Sequence, residues 1–191
     1  SDQCGGGILL ERTSIIENCV VENNQARNGG GIGSGSWGGT ATITNTLINA
    51  NVATNAGGGI DTYSFSQPMT LTLTSCTISS NRAGRGGGVR GATFVFSSRI
   101  YANSATGDIG RTGDYFVNCI ISNNTAGRDG GGGAISYSMT DSLVIGNKAG
   151  LDGGGVLMYG NDIINSLIVG NTSTVGGGVW GFGHFDLNGC T

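Results

Sequence analysis

The chain has 191 residues, of which 39 are glycine and only 11% are charged, against about 25% charged in an ordinary globular domain. A formal net charge of −3 leaves no basic surplus for nucleic acid, and a 37% hydrophobic content in regular spacing argues against disorder. No apolar run approaches the ~18 residues of a membrane span, and the glycines follow no Gly-X-Y period, so collagen is excluded.

The chain opens on Ser1 with no visible signal peptide, which reads as a mature or trimmed product. It passes at once into "CGGGILL", a glycine run with an apolar follower. Next comes "ENCVVENNQARNGGGI" at 17–32, a unit restated later as "SCTISSNRAGRGGGV", "NCIISNNTAGRDGGGG", "DSLVIGNKAGLDGGGV" and "NSLIVGNTSTVGGGV". The repeats align on Asn24, Asn51, Asn81, Asn103, Asn124, Asn147 and Asn171, spaced 27, 30, 22, 21, 23 and 24 residues apart. Five residues before each Asn stands a small residue (Cys19, Thr46, Cys76, Ser98, Cys119, Ser142, Ser166). Three before stands a β-branched one (Val21, Ile48, Ile78, Ile100, Ile121, Val144, Ile168). Two after stands Ala26, Ala53, Ala83, Ala105, Ala126, Ala149 or Ser173, and then the glycines. One copy, "SATGDIGRTGDYF", is degraded.

Within each copy apolar or small residues alternate with variable ones, a strand period, and no helical period occurs. Strands this short bury nothing alone, but stacked coils about 4.8 Å apart bury a common core. The expected fold is all-β, a right-handed parallel β-helix of about seven coils with three short faces, forming one domain over 1–191. The Ile/Val column should fill the interior. The Asn column should turn inward at a bend and form an amide ladder. The glycines should round a corner closed to other residues.

These repeats resemble the right-handed parallel β-helix superfamily, and more narrowly the repeats of chlamydial polymorphic outer-membrane proteins and similar bacterial surface proteins. That family carries a Gly-Gly-Ala-Ile type motif and a Phe-x-x-Asn motif. The matching positions here read Gly-Gly-Gly-Ile/Val and Ile/Val-x-x-Asn, as in "VENN" at 21–24 and "ISSN" at 78–81. The resemblance implies an extracellular or cell-surface location. Solenoids of this kind serve as adhesins, stalks and polysaccharide-degrading enzymes.

Asp108, Asp129 and Asp152 form the sharpest polar set, each five residues after its Asn. Stacked carboxylates would repel by roughly 1 kcal/mol per pair in water, which a calcium ion would relieve. Asp is also common before a Gly turn for purely local reasons. Lys148 and Arg128 lie nearby. His184, the single histidine, has no companions that suggest catalysis. The insertions "GSGSWGG" and "DTYSFSQPM" should protrude together, bringing Trp37, Tyr63 and Phe65 into one surface contact for a protein or glycan, with Pro68 outside the ladder. Cys19, Cys76, Cys119 and Cys190 fall in the small-residue column, with Cys4 at another corner. Cys19 and Cys76 are two coils apart, too far for a bridge.

Three readings follow. The first is a non-enzymatic structural subunit with no cofactor, stacking head to tail into a filament through Cys4, Gly5, Cys19, Asn188 and Cys190. The second is a polysaccharide lyase or hydrolase using the three aspartates, with calcium. The third is a segment of a longer adhesin or stalk.

Overall fold

The computed structural model describes residues 4–63, 69–108, 111–160, 162–182 and 184–191, and these contain strands and no helix. The strands form four stacks running along one axis, each strand pairing in parallel with its equivalents in neighbouring coils. The molecule is a parallel β-solenoid of about seven turns, as the repeat predicts.

A coil begins with the strand that follows the glycine run, as in Ile32–Ser34, stacked between Ile8–Leu10 and Ile60–Asp61. A longer strand comes next, Gly39–Thr44, paired with Thr13–Glu17 and Met69–Thr74. The third is the branched strand, seven of which run from Val20–Glu22 to Leu167–Val169. The fourth precedes the next glycine run, in six copies from Gln25–Asn28 to Lys148–Ala149.

This is one strand more per coil than the three faces expected. The glycine-run strands form a sheet of their own only as far as Val89–Arg90. In later coils the strand after the glycines belongs to the long sheet, as in Gly133–Thr140. Insertions and a corner separate the two strands in the early coils. In the coils of Arg111–Val117 and Gly133–Thr140 one strand covers both faces, and the last coils divide again, as at Val156–Met158 and Asp162–Ile164.

The interior is a set of rows. Ile78 stacks on Ile48 and Ile100, and Ile100 on Ile121, all of them buried. The long sheet adds Ile43, Leu73, Val95, Phe116, Met139 and Ile163 in register, each fully shielded from solvent. Burying a side chain of this size contributes about 1.5–3 kcal/mol. A smaller cluster of Ala105, Ala126, Ala134 and Leu157 lies beside this core, with Trp180 packed against it.

Three corners per coil turn on left-handed residues. One set is Asn18, Asn45, Ser75, Ser97, Asn118, Asp141 and Asn165; another includes Asn23, Ala50, Ser80, Ala102 and Asn123; glycines such as Gly29 and Gly57 make the third. Asn adopts this conformation with little strain, whereas Ala50 and Ala102 accept about 1 kcal/mol each.

Each glycine of a run has its own reason. Gly29 has φ 58°. A Cβ on Gly30 would come within 2.5 Å of the Gly58 carbonyl oxygen in the next coil. A Cβ on Gly31 would meet the amide of Asn51 at 2.9 Å. The third glycine is therefore small because the asparagine ladder passes across it.

Candidate functional site

The asparagine corner is the most constrained part of the coil. The Nδ2 of Asn81 donates to Oδ1 of Asn103 at 3.0 Å, and the Asn81 backbone N–H reaches the same oxygen at 3.0 Å. The second Nδ2 hydrogen goes to the Ile48 carbonyl of the preceding coil at 2.9 Å. The Asn81 Oδ1 accepts both the N–H and the amide of Asn51. The same pattern repeats at Asn103, Asn124 and Asn147. All these side-chain groups are satisfied, and every amide points the same way along the axis. Hydrogen-bonded amides in such a chain polarise one another.

The small-residue column is polar as well as tight. Ser98 Oγ accepts the Cys76 N–H at 3.0 Å and donates to the Phe96 carbonyl at 2.8 Å. The Cys76 thiol contacts the Ile43 and Thr74 carbonyls at 3.3 and 3.4 Å, so it is more than an apolar filler. Burial pushes the thiols of Cys76 and Cys119 up from their ordinary range, which disfavours the thiolate. Cys190 joins the column at the last coil, with its thiol 3.2 Å from the Ile163 carbonyl. All five cysteines are free, and Cys19 is exposed.

The corner before the glycine runs has a different character. Hydrogen bonds from the first glycine N–H groups stack Asn28, Ala56, Arg85 and Asp108, and likewise Asp129, Asp152 and Val175. Arg128 lies between two of the aspartates, with Nε 3.6 Å from Asp108 and a terminal nitrogen 3.8 Å from Asp129. A guanidinium thus offsets the repulsion for which the sequence invoked calcium. Among the described residues no three His, Cys, Asp or Glu side chains form a group suited to a metal ion. Asp108 and Asp129 each keep one shielded oxygen without a hydrogen-bond donor.

Beside this corner runs an open trough. One part, of about 480 Å³, is lined by Gln25, Ala26, Arg27 and Thr54. Another, of about 360 Å³, is lined by Thr54, Asn55, Gly84, Arg85, Thr106, Gly107, Asp108 and Arg128.

The insertions use arginine to hold their aromatic rings. Arg12 covers the exposed Trp37 at 5.4 Å, and Arg90 covers Tyr63 at 4.5 Å. Arg90 also pairs with Asp61 at 3.1 Å, largely away from solvent. Burial raises the Asp61 carboxyl above its ordinary value, although Arg90 and the Tyr63 N–H pull it down. Phe65 and Pro68 lie outside the described residues.

A row of rings not anticipated from the repeat stands on the long sheet. Phe94, Tyr115 and Tyr137 stack at 5.3 and 5.1 Å with nearly parallel planes. Its members lie 21 and 22 residues apart, one coil each, but on outward positions outside the columns that define the repeat. His184 is almost fully exposed, 3.6 Å from Asp186.

At the first coil Cys4 bridges to Asn28 and the Gly5 N–H bonds the Asn28 carbonyl at 3.0 Å. At the other end Asn188 pairs with Ile164. Cys19 and Cys190 thus occupy the two ends of one column.

Residues 118–138 match the sequence model of the Chlamydia polymorphic membrane protein repeat. The stretch covers Cys119, the asparagine corner at Asn124 and the glycine run. It includes Gly132-Gly133-Ala134-Ile135, the family's Gly-Gly-Ala-Ile motif unaltered, which the Gly-Gly-Gly-Ile/Val alignment passes over. No curated protein and no solved structure matches the chain. The repeat similarity and the solenoid together fit a surface protein. Among the described residues no helix is long and apolar enough to cross a membrane.

Proposed function

We propose that the chain is a non-catalytic structural element of the cell surface whose coils stack end to end with those of further copies into a fibre. The observation that carries this reading is the one-way amide ladder. Each coil offers two donors at its asparagine to the coil after it and one acceptor to the coil before it. A coil supplied by another copy in the same orientation would meet the same groups. Parallel strands add to an open edge through the same backbone pattern. Strict stacking also suits a stiff spacer, because each coil is bonded to its neighbours over all of its faces.

Electron microscopy and sedimentation over a range of protein concentrations test the assembly. Threads with a repeat of roughly 35 Å, the rise of seven coils, are expected to lengthen as concentration increases. Compact particles of constant mass would end the fibre reading and leave the solenoid itself unaffected.

A further inference from the structure

We infer that Asn123 is a modification site, the acceptor of an N-linked sugar transferred from a sugar diphosphate by an asparagine-specific glycosyltransferase. The chain contains two Asn-x-Ser/Thr triplets, Asn123-Asn124-Thr125 and Asn171-Thr172-Ser173, the pattern that such transferases read. The solenoid locks one of them and presents the other. Asn171 belongs to the ladder: its Nδ2 donates to the Val144 carbonyl at 2.9 Å, and its Oδ1 accepts the N–H and the amide of Asn147 at 2.9 and 3.0 Å. The Ser173 hydroxyl donates to the Val175 carbonyl at 2.7 Å. Asn123 precedes the ladder residue and turns the other way. Both Asn123 and Thr125 are exposed, and neither side chain makes a hydrogen bond among the described residues.

The neighbouring coils leave room for a bulky group. Asn123 holds a left-handed corner with φ 53°, which asparagine adopts with little strain. The corner N–H groups of Ala102, Asn123 and Gly146 bond in turn to the carbonyls of Ser122, Ile145 and Val169, so these three residues lie one above another. On either side of Asn123, therefore, no side chain extends beyond a methyl group. A Cβ on Gly146 would come within 2.7 Å of the Asn123 Oδ1, so glycine there leaves the amide its place. Asn23 has the same conformation in the first coil, but Gln25 stands where a hydroxyl is needed. The transfer forms a bond from the Asn123 Nδ2 to the anomeric carbon of the sugar and breaks the bond from that carbon to the donor's phosphate oxygen. The diphosphate leaves, and the amide proton passes to a base of the transferase. Asn123 stands on the side of the fifth of the seven asparagine coils, so a sugar there leaves both ends uncovered. The inference goes beyond the surface reading and is independent of fibre formation.

The test has two arms. In the first, the chain isolated from its own cells is digested, and the peptides carrying Asn123 and Asn171 are compared by mass spectrometry. In the second, the folded whole chain, made in a host without asparagine glycosylation, is offered UDP-glucose and a soluble asparagine glucosyltransferase. Sugar is expected on Asn123 in both arms, at a level about tenfold above Asn171, whose amide must first leave its hydrogen bonds. A single hexose on the native chain marks a nucleoside diphosphate as the donor, and a preassembled oligosaccharide marks a lipid diphosphate; either supports the site. Asn123→Gln and Thr125→Ala should each abolish the modification, Thr125→Ser should keep it, and Ser173→Ala should leave it unchanged. Circular dichroism confirms that each variant is folded. A bare Asn123 on the native chain, no transfer to it from UDP-glucose, equal modification of Asn171 in the folded chain, or retention of the sugar in Thr125→Ala would each overturn the inference.

Discussion

The asparagine corner and the corner before the glycines are close neighbours on every coil, and they obey opposite rules. At the first, one residue type occupies seven successive coils, and the buried copies are fully hydrogen-bonded to the coils on either side. At the second, Asn28, Ala56, Arg85, Asp108, Asp129, Asp152 and Val175 occupy successive coils, and no single residue type runs through the column. Backbone spacing is the same at both. The difference is burial: the ladder amides are shielded and must be satisfied in every coil, whereas the second corner is mostly open to water, apart from Ala56 and one oxygen each of Asp108 and Asp129. Uniform columns therefore mark what holds the solenoid together, and mixed columns mark surface free to acquire a ligand.

Asn103→Ala should break this comparison most severely. It removes the acceptor of the Asn81 N–H and amide, and the donor to the Ile78 carbonyl and Asn124. Stranding several buried groups costs about 4 kcal/mol. Asp129→Ala, at the mixed corner, should change stability by less than about 0.5 kcal/mol. Urea unfolding followed by circular dichroism compares the two, and coincident midpoints would refute the distinction between the corners.

Glycines sharpen the same point. A Cβ on Gly59 would meet the Gly88 carbonyl oxygen at 2.5 Å and the Asn81 amide at 3.0 Å, so Gly59→Ala should cost about 3 kcal/mol through overpacking. Gly170 has φ 64° but open space around its Cβ position. Gly170→Ala should cost only the left-handed strain, about 1 kcal/mol. Equal losses would mean that backbone conformation, not coil-to-coil approach, selects glycine.

The Asp61–Arg90 pair tests burial of charge outside the ladder. Its carboxyl is raised in the folded chain above the ordinary 3.8, chiefly by burial. The folded state thus binds the proton more tightly than the unfolded one. The stability this gives is fully present below pH 3.8 and is lost as pH rises through the raised value. Asp61→Asn should flatten the dependence in that window. Urea midpoints measured from pH 3 to 7 decide it, and parallel curves for the two proteins would remove Asp61 as the cause.

The interior was readable from the sequence because each inward column carries a narrow set of residues. Ile78, Ile100 and Ile121 announce their row, and the asparagines announce the bend. The left-handed corners were not readable, because Asn18, Ser75, Asp141 and Ala50 share a conformation without sharing a residue type. The separate strand after the glycine run in the early coils was hidden for a related reason: the insertions that part it from the long strand have no repeat. Stacking of the three aspartates was anticipated only in part, because the position of Arg128 between two of them depends on a coil offset that spacing alone does not reveal. The arginine trough is less legible still. Arg85 and Arg128 line one part of it, and Arg27 another, only after coils of different length are laid one on another.

The small-residue column should give the slightest change in stability and the clearest chemical contrast. Its occupants alternate between thiol and hydroxyl, and Ser98 makes with Phe96 the bond that Cys76 makes with Thr74. Cys76→Ser should therefore cost less than about 1 kcal/mol, because serine at this site keeps the donor and its partner. Reactivity should differ sharply along the same column. At pH 8 an aromatic disulfide reagent should modify exposed Cys19 in the folded chain. It should reach Cys76 and Cys119 only when urea unfolds the coils, since burial both shields these thiols and raises their pKa. Modification of Cys76 at the rate of Cys19 in the folded protein would mean that the coils open locally, and the seamless stacking inferred from the ladder would not hold at that point.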